Sequence, residues 1–181
     1  MKEKENGAGR LLSRILRHDP GAAGICLDRY GWANVNELVQ GIQKKMSFSR
    51  SRLEELVRVD EKRRYSFNID HTRVRANYGH SVPVEPVSGP EVPPEILWHG
   101  SASRFSSSIK RDGLLPGSRQ YVHLSSEREM ARIVGLRHGE PLIYQVMSGQ
   151  MNRDGHVFYQ PTEGIWQTKC VPPSYLRYVT G

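Results

Sequence analysis

The chain has 181 residues, with 26 Lys and Arg against 19 Asp and Glu and a formal charge of +7. That length permits a buried core at the border between one domain and two. Its two distant cysteines, Cys26 and Cys170, exclude a disulfide framework or a CxxC zinc site. The start, Met1 to Gly7, has no apolar signal-like region, and no segment approaches the roughly 18 apolar residues of a membrane span. The expectation is a reduced, cytoplasmic protein with no membrane contact and no metal, and a monomer.

The charge is uneven. Through Ser81 there are 16 basic residues against 10 acidic ones, and from Val82 onward 10 against 9. The first part therefore carries the electrostatic footprint of a polyanion binder, although a charge cluster also serves as a solvated face.

In chain order, Leu11, Leu12, Ile15 and Leu16 form one apolar stripe of a helix, with Arg14 and Arg17 expected opposite it and His18 at its edge. Pro20 ends that helix by disfavouring helical geometry at Asp19. Arg17 and His18 thus stand on a last turn, where they either meet a phosphate or simply complement the helix dipole. Gly31 to Asn34 reads as a turn with an aromatic anchor. Val35, Leu38, Val39 and Ile42 predict a second helix to about Lys45, capped by Asn34. Ser51 and Glu54 predict a capping box for a third, with Leu53, Leu56 and Val57 inward. Tyr65 and Phe67, the turn Asp70-His71-Thr72, and Arg73 to Ala76 predict a hairpin that Lys62-Arg63-Arg64 enters. Three helices and a hairpin make a winged-helix-like lobe over residues 1–81.

The stretch VPVEPVSGPEVPP holds five of the eleven prolines and predicts a linker at 82–94. The remainder, 95–181, predicts an α+β lobe with a bent or split sheet. Its elements are a strand through Ile96 to Ser101, a helix near Phe105 to Arg111, and a strand Arg119 to Ser125. A helix opened by Ser126 and Glu129, a turn Gly135 to Gly139 containing His138, and strands Leu142 to Val146, Val157 to Tyr159 and Gly164 to Thr168 follow. His123 and Ser125 should emerge on one face. Taken singly, His99 and His123 are either structural histidines or ligand contacts; no G-x-G-x-x-G or Walker motif is present.

Taken together, LSRILRHDP, LDRYGWANVNEL, DEKRRYSF, RVRANYGHS, LWHGS, SRQYVHLS, VGLRHG and CVPPSYL, in that order from about Leu11 to Leu176, give a chain that resembles the NAD-dependent RNA 2′-phosphotransferases. The resemblance implies a winged-helix lobe for RNA, an ADP-ribosyltransferase-like lobe for NAD, and the substrate phosphate between them. The catalytic set it implies is Arg17, His18, Arg64 and Arg119; the NAD-contacting set is His99, Gly100, Ser101, His123, Leu124 and Ser125. Tyr78 stands where the family usually has glutamine, and Ser101 where threonine is usual.

The implied reaction on tRNA-like RNA bearing an internal 2′-phosphate has two steps. The phosphate first displaces nicotinamide from the NAD ribose, a step that asks chiefly for positioning. The ribose 2″-hydroxyl then attacks that phosphate, releasing 2′-OH RNA and ADP-ribose 1″,2″-cyclic phosphate. Arginine forks aimed at the phosphoryl oxygens and a histidine able to supply a proton suit the second step. Two other readings stay open: a non-catalytic winged-helix nucleic-acid-binding protein, and an enzyme that ADP-ribosylates nucleic-acid phosphate ends.

Overall fold

A computed structural model describes residues 2–137 and 139–179, with the backbone alone for residues 2–6. His138, part of the expected turn after Gly135, lies outside the described residues. The protein is a mixed α+β chain with two antiparallel sheets and, among the described residues, six α-helices. It divides into two compact units, one through Glu85 and one from Pro86.

In the first unit, α1 (Lys2–Arg17) buries Ala8, Leu12, Ile15 and Leu16, the i, i+4, i+7, i+8 spacing of one helical face. Asp19 stops it by capping the next turn, Pro20–Ala23: its Oδ1 accepts from the Ala22 amide at 3.1 Å, and Arg14 pairs with its Oδ2 at 2.8 Å. The helices α2 (Val35–Gln43) and α3 (Arg50–Arg58) follow. Asn34 caps α2 as expected, accepting from the amides of Asn36 and Glu37 at 2.9 and 3.2 Å.

Three expectations for this unit are corrected. Trp32–Asn34 is a strand, β1, rather than a turn. It lies in a three-stranded sheet with β2 (Tyr65–Phe67) and β3 (Arg73–Ala76), ordered β1-β3-β2, and Ala33 faces Val74. Three residues are too few to display an alternation, and the partner strand is distant in sequence. The cap of α3 is Ser49, not Ser51: its Oγ accepts from the Arg52 amide at 3.1 Å, while Glu54 pairs with Arg50 at 3.0 Å instead of reaching back. Finally, Arg17, expected on the side opposite the apolar stripe, is itself buried, at 8 % exposure. The chain returns over the end of α1, where the amides of Ser81 and Val82 donate to the Arg17 carbonyl at 2.9 and 3.3 Å.

The proline-rich stretch is tied to the first unit by the Glu85 amide on the Arg29 carbonyl at 2.7 Å. Farther on it is tied to the second by the Glu91 amide on Phe158 O and Ser148 Oγ on Pro94 O, at 2.9 and 2.7 Å.

The second unit contains β4 (Leu97–Ala102), α4 (Ser106–Asp112), β5 (Val122–Ser125), α5 (Arg128–Leu136), β6 (Pro141–Val146), α6 (Ser148–Arg153), β7 (Phe158–Thr162), β8 (Ile165–Thr168) and β9 (Leu176–Val179). Its sheet runs β7-β8-β5-β4-β6-β9, all antiparallel. Six consecutive pairs join β4 to β6, whereas a single pair, Trp98 with Ser125, joins β4 to β5. The sheet is therefore two three-stranded halves meeting at one point. Its core contains Leu97, Val122, Leu124, Val146, Phe158 and Trp166.

In this unit α5 begins at Arg128, two residues after the expected start at Ser126, and no side chain caps it. The sequence reading did not identify α6 or β9. The close packing of α5 on β4 requires Gly100, since a Cβ there would lie 1.7 Å from the Ala131 carbonyl oxygen.

Candidate active site

Within the first unit, Arg17 and Arg64 share the Tyr65 ring, and Arg17 also lies over Tyr78. The Arg17 guanidinium carbon lies 5.9 Å from the Tyr65 ring centre and 5.1 Å from that of Tyr78; the Arg64 carbon lies 5.8 Å from Tyr65. Flat cations are favoured over aromatic faces, so the rings hold two positive groups near one another without cancelling either charge.

Arg64 is delivered by a tight turn. The Arg63 amide donates to Asp60 O at 2.8 Å, and Arg63 adopts φ 45°, a left-handed conformation that costs a non-glycine residue and needs surrounding support. Asn77 Nδ2 supplies it by donating to Arg63 O at 2.7 Å, and the Tyr78 hydroxyl donates to Lys62 O at 2.8 Å. The buried Asp60 carboxylate then takes the Arg64 amide on one oxygen and the Arg64 Nε, at 2.7 Å, on the other. Burial opposes the charge on Arg64, but the Asp60 bond and its negative charge outweigh it and raise the guanidinium pKa. Burial also raises the Tyr78 phenol against the pull of Arg17, which keeps the hydroxyl a donor.

His18, one residue past α1, is exposed, and its Nδ1 lies 2.9 Å from Ser81 Oγ. The segment Tyr78 to Ser81 is thus the lining of this cluster. Gly79, at φ 90°, passes so close to Arg17 that a Cβ would lie 3.3 Å from its guanidinium carbon. His80 is buried and its pKa falls to about 4, chiefly through burial, with the charges of Arg17, His18 and Arg75 adding to the effect. It is a neutral histidine whose buried Nε2 has no hydrogen-bond partner.

The second unit holds the other sequence-derived candidates. The alternation of β4 places His99 and Ser101 on one face and Trp98 and Gly100 on the other. His99 Nδ1 donates to His123 O at 2.9 Å, since a carbonyl only accepts, which leaves Nε2 as the acceptor nitrogen of the neutral ring. His123 on β5 lies between Gln167 Nε2, 3.0 Å from its Nε2, and Arg119 Nη1, 3.4 Å from its Nδ1. Arg119, exposed ahead of β5, therefore belongs to a group with His123, Gln167 and His99.

The remaining candidates are more constrained. Leu124 is in the core, Ser101 is buried, the Cβ space of Gly100 is filled by α5, and Ser125 Oγ accepts from the Glu127 amide at 3.1 Å. Any contact by Leu124 is made by its backbone. Among the described residues no group of His, Cys, Asp or Glu is arranged to hold a metal ion, and no helix is long and apolar enough to cross a membrane.

Sequence reasoning missed Asp60, Ser81, His80 and Gln167. Asp60 carried a usable signal, an acid four residues before an arginine in DEKRR. Ser81 and Gln167 lie 63 and 44 residues from the histidines they meet, a distance no spacing rule spans.

The family model described as RNA 2′-phosphotransferase, Tpt1 / KptA family, matches residues 3–170. The chain is 42% identical over 170 residues to a protein of Flavobacterium johnsoniae, covering 93% of each. It is 41% identical to one of Pectobacterium carotovorum, covering 96% of this chain and 94% of the relative, and 40% identical to one of Acaryochloris marina, covering 97% and 98%. All three are named "Probable RNA 2′-phosphotransferase". With a family match over nearly its whole length and three such relatives, the chain belongs to the RNA 2′-phosphotransferase, Tpt1 / KptA family.

Proposed function

We propose that the protein is an enzyme that transfers an internal RNA 2′-phosphate to NAD, giving 2′-OH RNA, nicotinamide and ADP-ribose 1″,2″-cyclic phosphate. The observation that carries this reading is the pair of guanidiniums, Arg17 and Arg64, held around Tyr65 beside His18. Two arginine forks and a histidine are a donor set for a phosphate dianion and for the charge that builds on it.

The element order α1-β1-α2-α3-β2-β3 supports a winged-helix reading of the first unit and RNA as its ligand. The excess of basic residues through Ser81 supports it too. The single pair joining the halves of the second sheet, with His99 and His123 beside that junction, supports an ADP-ribosyltransferase-like reading and NAD as co-substrate. His99 Nε2 is an acceptor suited to a ribose hydroxyl. Arg119, which His123 and Gln167 adjoin, supplies donors for a polar, anionic ligand.

In this reading the RNA phosphate attacks the ribose carbon and nicotinamide leaves. Arg17, Arg64 and Arg119 then stabilise the phosphoryl oxygens during the second attack while His18 hydrogen-bonds and protonates the departing 2′-oxygen. The test is nicotinamide release from NAD with a 2′-phosphorylated oligoribonucleotide and with the same RNA lacking that phosphate. Mass analysis of the RNA should give dephosphorylated product with the wild type and an ADP-ribosylated intermediate with Arg64→Ala or Arg119→Ala. Release without the 2′-phosphate, or ADP-ribose retained as the wild-type end product, overturns the proposal.

A further inference from the structure

We propose that the outer face of the three-stranded sheet, where Arg75 lies over Trp32, binds a backbone phosphodiester of the substrate RNA, apart from the 2′-phosphate site. The inference rests on RNA as the ligand of this unit, as proposed above. Strand pairing sets Trp32 on β1 and Ser66 on β2 opposite Arg75 on β3, and Asn34 opposite Arg73. Directly paired residues share a face, so these side chains stand together, while Ala33, Tyr65, Val74 and Ala76 lie in the core on the other side.

Arg75 differs from its neighbours in having nothing to balance its charge. Its guanidinium carbon lies 4.9 Å from the Trp32 ring centre. Its Nε is buried with no hydrogen-bond partner, and its guanidinium enters no hydrogen bond or ion pair among the described residues. Burial lowers its pKa, and Asp28 is the acid that opposes this. Asp28 is already engaged: one oxygen accepts from the Tyr30 and Trp32 amides at 2.9 and 3.0 Å, the other from Arg73 Nη1 at 3.1 Å. A half-buried cation that no acid neutralises is costly in the free protein, and an arriving anion relieves the cost. A guanidinium edge matches two oxygens of a phosphate. The face also adjoins the arginine cluster, since Arg75 acts on the buried His80 together with Arg17 and His18. A strand whose 2′-phosphate sits at that cluster carries backbone phosphates to either side of it, which an acidic peptide does not. Backbone contacts carry no sequence information, so this one should be indifferent to the 2′-phosphate.

The test is binding of a single-stranded oligoribonucleotide, with and without one internal 2′-phosphate, followed by fluorescence anisotropy across a range of KCl in the absence of NAD. Arg75→Met keeps an apolar stem on Trp32 and removes the charge. It should weaken both RNAs by the same factor, about tenfold, and reduce the slope of log Kd against log salt by about 0.7, one phosphate on a single strand. Ser66→Glu places an acid across the strand from Arg75; it should weaken both RNAs alike while the melting temperature holds or rises, which separates lost binding from lost folding. Arg64→Ala should instead weaken the phosphorylated RNA more than the plain one. Wild-type affinity and slope in Arg75→Met and Ser66→Glu, or a loss confined to the phosphorylated RNA, overturns the proposal. So does an Arg75→Met protein that binds RNA normally but no longer binds polyglutamate, which would give the face to an acidic protein. These measurements need no turnover, so they judge the face even if wild-type protein releases no nicotinamide, which would instead overturn the reaction.

Discussion

Arg64 pairs with one oxygen of Asp60 through both Nε, at 2.7 Å, and Nη2, at 2.6 Å, while its own amide takes the other oxygen. A guanidinium has five N–H donors, and this arrangement uses the inner edge and leaves the outer one for a ligand. The Asp60 side chain is 2% exposed and that of Arg64 41%, so the pair runs from the interior to the surface.

Asp60→Asn keeps the shape and removes the charge. Because half of the pair is wet, the expected loss is about 1–2 kcal/mol rather than the larger figure for a fully buried pair. At this chain length that is a fall of roughly 2–8 °C in melting temperature. In the RNA assay the ADP-ribosylated intermediate should accumulate as it does for Arg64→Ala, but less, since the arginine is loosened and not lost. A faster second step would mean that the carboxylate opposes the phosphate instead of aiming its partner.

Tyr78 does two separable things. Its hydroxyl fastens Lys62 O in the turn before Arg64, and its ring lies against Arg17. Tyr78→Phe removes the first alone and should cost about 0.5–1.5 kcal/mol in a urea titration, the worth of one hydrogen bond. Tyr78→Gln retains a donor but no ring; it should preserve the turn while weakening affinity for 2′-phosphorylated RNA. Equal losses from both variants would place the whole effect in the turn.

His80 makes stability pH-dependent. Its folded pKa of about 4 lies below the ordinary 6.5, because burial first, and then Arg17, His18 and Arg75, penalise the cation. Between these values the unfolded chain binds the proton and the folded one does not, so stability is full above about pH 6.5 and falls as the pH drops toward 4. At 1.36 kcal/mol per unit the difference is about 3 kcal/mol. Urea midpoints from pH 7.5 to 4 should show that decline, and His80→Gln should flatten it; an unchanged slope would assign the decline to other groups.

The elements legible in the sequence were those fixed by local pattern. The α1 stripe, the Asn34 cap and the hairpin through Asp70 each depend on residues within a few positions of one another. Trp32–Asn34 and Leu176–Val179 became strands because distant partners pair with them, and three or four residues carry no period. The same division holds for the candidate site. Arg17, His18 and Arg64 stand in recognisable motifs, whereas the burial of Arg17 and the serine on His18 follow from the return of residues 78–82 over the end of α1. The place expected for Arg17, opposite the apolar stripe, was a property of the isolated helix.

Gln167 gives the sharpest test in the second unit, because His123 lies between it and Arg119. Arginine only donates, so a bond from Arg119 Nη1 makes His123 Nδ1 the acceptor and puts the neutral ring's hydrogen on Nε2. A half-turn of the Gln167 amide then gives that hydrogen an oxygen. Gln167→Leu, close in volume at a buried position, leaves the ring without this partner. If His123 chiefly steadies Arg119, decay of the ADP-ribosylated intermediate should slow about tenfold while the KM for NAD changes little. If His123 instead meets NAD, KM should rise and the second step should be spared. Gln167→Glu separates the causes further: a carboxylate beside Nε2 favours the imidazolium, whose Nδ1–H can no longer accept from Arg119 and whose charge repels it. The first account therefore expects Gln167→Glu to be as impaired as Gln167→Leu in the second step, and a Gln167→Glu enzyme with wild-type decay would exclude it.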